Sequence, residues 1–112
     1  MTKQESIERL HNAGWTSRQI SHVMNVINED CKGDVCWPSI TERLLDREPI
    51  EHITGYDYFM NLKLHVSKDV LLPRPETEDL VAHFFQQIPL SATDKISMLD
   101  IGTGSGCIAL AL

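Results

Sequence analysis

Asp100, Gly102, Gly104 and Gly106 are the residues whose types and spacing could hold a reactive small molecule. An apolar run from Ile96 to Ile101 carries an acid one place before its end. Gly-x-Gly-x-Gly follows, and then the apolar stretch Cys107 to Leu112. This is the order of a strand, a tight turn and a helix. Glycines let the turn take positive φ and let its backbone approach a ligand with no Cβ in the way. A helix beginning after the turn aims free N–H groups and a partial positive charge at the same point. A small molecule with an anionic or polar group suits that place, which in doubly wound α/β sheets lies beyond the carboxyl ends of the strands. The spacing is not that of the dinucleotide fingerprint G-x-G-x-x-G. The third glycine comes one residue early, and the acid precedes the first glycine. A glycine-rich turn without a ligand is the other reading of these residues.

The chain that must position this turn has 112 residues, a formal net charge of −6 and 42% hydrophobic residues. That suits one small domain and falls short of a doubly wound enzyme, which needs five or more strands with covering helices. The expectation is therefore a truncated chain, with a helical N-terminal domain followed by the opening βα unit of a second domain. A lone strand and half a helix cannot bury their apolar faces. Residues from about 95 onward are expected to be poorly ordered or packed on another molecule. The first ten residues are polar and charged, unlike a signal peptide. No run of about 18 apolar residues offers a membrane span. Cys31, Cys36 and Cys107 are odd in number and lack a framework spacing, which implies free thiols in a reducing cytosol and no metal site. The acidic balance argues against direct nucleic-acid binding through phosphates.

Taken in order, Thr2-Lys3-Gln4-Glu5 is a capping box, and a helix is expected from about Lys3 to the stop at Asn12-Ala13-Gly14. Thr16-Ser17-Arg18-Gln19 is a second box. Ile20, Val23, Met24, Ile27 and Cys31 after it have the helical period, opposite a polar face of Arg18, His22, Asn25 and Glu29. Lys32-Gly33-Asp34 is the expected stop. Pro38 and Ser39 open a third helix with Ile40, Leu44 and Leu45 facing in. Glu48-Pro49 interrupts it, and a short turn of helix covers Ile50 to Thr54 before Gly55. Trp15, Met24 and Trp37 read as core or rim packing rather than a cofactor box.

From Tyr56 the period changes to that of a hairpin, with a turn near Asn61 and alternation from Leu62 to Val66. Val70-Leu71-Leu72 is a short extended piece that ends at Pro73. Pro75 holds Arg74 out of the helical region. A helix then starts at Glu76-Thr77-Glu78, with acids in its first turn and Leu80, Val81, Phe84, Phe85 and Ile88 on one apolar face. Pro89 and Ser91-Ala92-Thr93-Asp94 link it to the expected strand at Ile96.

The spacing of Asp100, Gly102, Gly104 and Gly106 resembles the first motif of the S-adenosylmethionine-dependent methyltransferases. Together with Glu48-Pro49-Ile50-Glu51-His52-Ile53-Thr54-Gly55, Phe59 and Leu71-Leu72-Pro73-Arg74-Pro75-Glu76-Thr77-Glu78, it is similar to the HemK/PrmC family. These are protein-glutamine methyltransferases acting on class 1 peptide chain release factors. The resemblance covers Arg47 to Leu112; the first 46 residues match only in helical character. It implies a mainly α chain with a helical substrate-recognition domain at 1–55, a β-hairpin linker at 56–72, and the start of a truncated, Rossmann-like α/β methyltransferase domain at 73–112.

The resemblance further implies that Asp100, Gly102, Thr103, Gly104, Ser105 and Gly106 bind S-adenosylmethionine, with Asp100 orienting the loop through backbone groups or water. Pro73, Arg74, Pro75, Glu76 and Thr77 would form a strip at the edge of the active site. Arg74 has two readings of equal weight, contact with a ligand or an ion pair with Glu76, Glu78 or Asp79. His52 and His65 receive no role. The family's Asn-Pro-Pro-Tyr is absent from the 112 residues, so the catalytic residues are unassigned and the chain alone is expected to be inactive. The expected setting is the cytoplasm, with a release factor as partner and no metal or membrane.

Candidate contacts to the protein substrate are Arg18, His22 and Asn25 on one face and Arg43 and Arg47 on another; ordinary surface is the competing reading of each. Two other functions fit parts of the sequence. A sister family methylates a ribosomal-protein glutamine, but it carries Pro-Arg-Ser-Pro where this chain has Pro73-Arg74-Pro75-Glu76. A non-catalytic helical interaction module is the alternative from another class.

Overall fold

The computed structural model describes residues 1–31, 33–88, 91 and 95–112. It is mainly helical, with one two-stranded antiparallel sheet, and divides into two compact units, Met1–Gly55 and Tyr56–Leu112. Lys32 of the expected helix stop, and Pro89, Ala92, Thr93 and Asp94 of the expected link, lie outside the described residues.

The first unit holds α1 (Lys3–Asn12), α2 (Ser17–Asp30), α3 (Trp37–Leu45) and α4 (Ile50–Thr54). Both capping boxes form. Thr2 accepts from the Glu5 N–H and Glu5 reaches back to the Thr2 N–H; Thr16 and Gln19 do the same for α2. Two otherwise unpaired donors are satisfied at each start. The periodic residues Ile20, Val23, Met24 and Ile27 of α2 pack with Leu10, Leu44 and Ile50 in one core, rimmed by Trp15 and Trp37. Arg18, His22, Asn25 and Glu29 are exposed on the opposite face.

α1 and α3 both end in a reversed turn. The Gly14 and Trp15 N–H groups return to His11 and Leu10, and the Arg47 and Glu48 N–H groups return to Leu44 and Arg43. These are Schellman closures, which place one residue in the left-handed region. In α1 that residue is Gly14, at φ 93°; in α3 it is Arg47, at φ 62°. A side chain at such φ costs roughly 1–2 kcal/mol. The Arg47 guanidinium lies 4.8 Å over the Trp15 ring, a contact worth about 0.5–1 kcal/mol at an exposed site, which offsets part of the cost. Arg43 is equally committed. It forks onto both Glu48 carboxylate oxygens at 2.7 and 2.6 Å and reaches the His52 carbonyl at 3.3 Å, and the bonds it donates to Glu48 hold its charge more firmly. Arg43 and Arg47, two of the three arginines suggested as substrate contacts, are thus engaged within their own unit.

Between α1 and α3 the core carries two fully buried hydroxyls. Thr41 Oγ1 lies 2.6 Å from the Trp37 carbonyl oxygen and 2.6 Å from Ser6 Oγ. A carbonyl only accepts, so Thr41 gives its one proton to Trp37 and accepts from Ser6. The pair fixes the facing turns of α1 and α3 more sharply than apolar contact would.

The second unit holds β1 (Tyr56–Phe59), β2 (Leu62–His65), α5 (Pro75–Gln87) and α6 (Cys107–Ala111). The strands pair Tyr56 with His65 and Phe59 with Leu62. Met60 and Asn61 join them at φ 50° and 65°, positive φ at both positions as a two-residue turn of type I′ requires. Side chains alternate across the ribbon. Phe59 and Leu64 face the core, while Tyr56, Lys63 and His65 pack on the other side, with Lys63 Nζ 4.2 Å over the Tyr56 ring. Phe59, Leu64, Val66, Val81 and Cys107 form the core of this unit.

Two expectations need correction here. The run Ile96–Ile101 forms no strand, because no strand lies beside it among the described residues to complete a ladder; Leu99 and Ile101 stay 86% and 87% exposed. Residues from about 95 onward were expected to be poorly ordered or packed on another molecule, yet α6 lies against β2 and α5 and buries Cys107. Of the wide apolar face expected on α5, only Val81 is buried; Leu80, Phe85 and Ile88 are exposed.

Thr41→Val should destabilise the first unit by about 1–3 kcal/mol, because it strands the buried Ser6 hydroxyl. Adding Ser6→Ala should recover most of the loss. Denaturant unfolding followed by tryptophan fluorescence reports this unit alone, since both tryptophans, Trp15 and Trp37, lie in it. Burial, and then the Asp30 carboxylate, push the Cys31 thiol up, whereas Cys36 is exposed. Cys36 should therefore be alkylated faster than Cys31 at pH 8, as mass mapping would show. A raised thiol favours the fold while it stays protonated, so that contribution is lost as pH rises through the folded-state value.

Candidate functional site

The second unit carries a cleft of about 290 Å³. One wall is the end of the hairpin connection, from Leu71 to Arg74, with Thr77 from the first turn of α5. The other is the loop Gly102-Thr103-Gly104-Ser105, backed by Cys107 and Ile108 of α6. The two walls are some thirty positions apart in sequence and meet because the core around Phe59, Val81 and Cys107 joins the hairpin to both helices.

The loop owes its shape to its glycines. Gly102, Gly104 and Gly106 sit at φ 69°, 58° and 80°. The Gly106 N–H closes a turn onto the Thr103 carbonyl at 2.9 Å. A Cβ built on Gly102 or Gly104 meets nothing within 4 Å. The backbone conformation selects glycine there, and the space in front of both residues is open to a ligand. Asp100 does not line the cleft. Its Oδ2 accepts from Thr103 Oγ1 at 2.8 Å and so ties the acid to the middle of the loop through a side-chain hydroxyl. Backbone groups or water were the expected link.

The strip from Pro73 to Thr77 divides. Pro73, Arg74 and Thr77 line the cleft, whereas Pro75 and Glu76 stand outside it on the first turn of α5. Pro75 is at a position where a missing N–H costs nothing, and its fixed φ suits a helix start. Glu78 turns away and accepts a long 3.4 Å bond from the Met60 N–H at the hairpin turn. Leu71, Leu72, Cys107 and Ile108 were not picked out as site residues from sequence. Their neighbours were, and adjacency to those motifs was the available signal. His52 Nε2 is buried with no hydrogen-bond partner and His65 pairs with Tyr56; neither lines the cleft. Among the described residues no group of three His, Cys, Asp or Glu could hold a metal ion, and no helix is long and apolar enough to cross a membrane.

The cleft's residues suit a small polar or anionic ligand. They offer backbone at close approach, hydroxyls at Thr77, Thr103 and Ser105, an apolar flank, and the guanidinium of Arg74. Gly104→Val should force the loop out of its left-handed conformation at a cost of about 1–2 kcal/mol. Amide resonances of 102–106 should move while those of Phe59, Leu64 and Val81 stay, since nothing packs on Gly104.

No family model matches the chain. Among curated proteins, it is 37% identical over 99 residues to the release factor glutamine methyltransferase of Flavobacterium psychrophilum, covering 84% of this chain and 35% of that protein. It is 47% identical over 74 residues to the enzyme of that name from Thermodesulfovibrio yellowstonii, covering 66% of this chain and 26% of that protein. The Lactococcus lactis protein of the same name is 45% identical over 73 residues, with 65% and 26% covered. The chain thus spans about a quarter to a third of the length of these relatives. Over the residues matched, the chain is similar to the N-terminal part of proteins named release factor glutamine methyltransferase, as the HemK/PrmC resemblance implies.

Proposed function

We propose that this chain belongs to an S-adenosylmethionine-dependent enzyme that methylates the side-chain nitrogen of the glutamine in the Gly-Gly-Gln segment of class 1 release factors. In this reading residues 1–55 recognise the protein substrate, residues 56–72 link, and residues 73–112 open a Rossmann-like methyltransferase domain. The observation that carries it is the meeting of the Gly102–Ser105 loop with Pro73, Arg74 and Thr77 in one cleft, in a chain whose relatives bear the methyltransferase name.

Bound S-adenosylmethionine supplies a methyl group already activated on its sulfonium. The chain's own residues would bind and orient. Gly102 and Gly104 let the backbone approach the amino-acid end of the cofactor, and the Thr103–Asp100 bond keeps the loop in one shape. A glutamine amide nitrogen is a weak nucleophile because its lone pair is shared with the carbonyl, so alignment with the departing sulfur matters. Positioning of this kind can be worth roughly 7–11 kcal/mol. Acceptors placed at the amide N–H groups would favour the charge growing on nitrogen. The family's Asn-Pro-Pro-Tyr, not found in these 112 residues, is the expected source of those acceptors.

Titration calorimetry with S-adenosylmethionine, run on the 112-residue chain and on the protein at the length of its relatives, tests the reading. Clear binding to the longer protein and none to the short chain is expected. The longer protein should then add one methyl group to the Gly-Gly-Gln glutamine of a release factor, read by mass spectrometry, and Gly104→Val should abolish both. Methylation of a ribosomal protein with the release factor left unmodified would overturn the substrate assignment.

A further inference from the structure

We propose that Arg74 takes the carboxylate at the amino-acid end of the bound cofactor, an assignment that rests on the reading of the cleft as an S-adenosylmethionine site. Arg74 is the one charged residue among the described residues lining that cleft, and it stands on the wall facing the glycine loop. Its neighbours do not neutralise it. Neither the Arg9–Glu42 nor the Arg43–Glu48 ion pair involves it, and the Arg74 guanidinium has no hydrogen-bond or ion-pair partner among the described residues, although Glu76, Glu78 and Asp79 follow closely in sequence. Glu78 is drawn off by the hairpin turn.

Local stability does not account for an arginine at this position. Arg74 is the N-cap of α5, where Ser, Thr, Asp or Asn would accept from the first turn, and it makes no side-chain cap bond. A missing cap costs about 0.5–2 kcal/mol, and a positive side chain at a helix N-terminus opposes the helix dipole. A residue that is wrong for its helix is the kind expected where function takes precedence. The prolines on either side restrict its backbone, which sits at φ −107° and ψ 151°, so the direction in which the side chain leaves the main chain is set before any ligand arrives. A planar guanidinium so placed can receive a carboxylate through two parallel N–H bonds.

The test is titration calorimetry on the full-length protein with two ligands, S-adenosylmethionine and its decarboxylated analogue, which keeps the sulfonium and adenosine but lacks the carboxylate. Arg74→Gln should weaken the first by about tenfold to a hundredfold, the range for a hydrogen bond to a charged group. It should leave the second within about twofold, and Arg74→Lys should recover part of the loss, because lysine keeps the charge without the fork. Unchanged affinity of Arg74→Gln for S-adenosylmethionine would overturn the proposal. So would an equal loss for both ligands, which would mean that Arg74 supports the cleft without touching the carboxylate. A wild-type protein that bound neither ligand would overturn the cofactor reading itself, a failure distinct from either.

Discussion

The second unit depends on the burial of Phe59. Its ring is fully enclosed by Leu64 and Val66 from the hairpin, Val81 from α5 and Cys107 from α6. A two-stranded hairpin is marginal by itself, and α6 is a helix of five residues, far too short to persist alone. Each becomes stable by covering the same apolar centre. The cleft is a by-product of that packing. Leu71–Arg74 leaves the hairpin on one side, the glycine loop enters α6 on the other, and the shared core fixes the gap between them.

The loop that faces this gap is not held by the core. Gly102, Thr103 and Gly104 are exposed, and its internal ties are the Gly106–Thr103 turn and the Thr103–Asp100 bond. A rigid base with a lightly tethered loop is a common way to present backbone donors to a small ligand. The same division appears in Arg74, whose backbone is restricted by two prolines while its side chain has no partner among the described residues.

The first unit uses polar groups where the second uses glycines. The Ser6–Thr41 pair selects one facing of α1 on α3, and Arg43 fastens the end of α3 to the start of α4 through Glu48 and the His52 carbonyl. Arg47, in a left-handed position that usually belongs to glycine, is compensated in part by its stack on Trp15. The face of α2 with Arg18, His22 and Asn25 is exposed to solvent.

Local chemistry made much of this legible in the residues themselves. Both capping boxes, the period of α2, the Gly14 stop and the turn at Asn61 follow from side-chain types a few positions apart, and each forms as read, whereas the helix expected from Glu76 begins one residue earlier, at Pro75. The family resemblance was legible too, because it rests on short strings of unusual composition. Whatever required a distant partner was not. A strand at Ile96–Ile101 needs a neighbouring strand, which no apolar run can supply from within, so apolar composition alone led to the wrong expectation there. The broad apolar stripe of α5 said that something covers it without saying what, and only Val81 is covered. The lack of an ion pair at Arg74 among the described residues, the hydroxyl that links Asp100 to Thr103, and the meeting of Leu71–Arg74 and Thr77 with Gly102–Ser105 were decided by tertiary packing. Each depends on which of several available partners the folded chain brings within a few ångströms, and the spacing of residues along the sequence does not fix that choice.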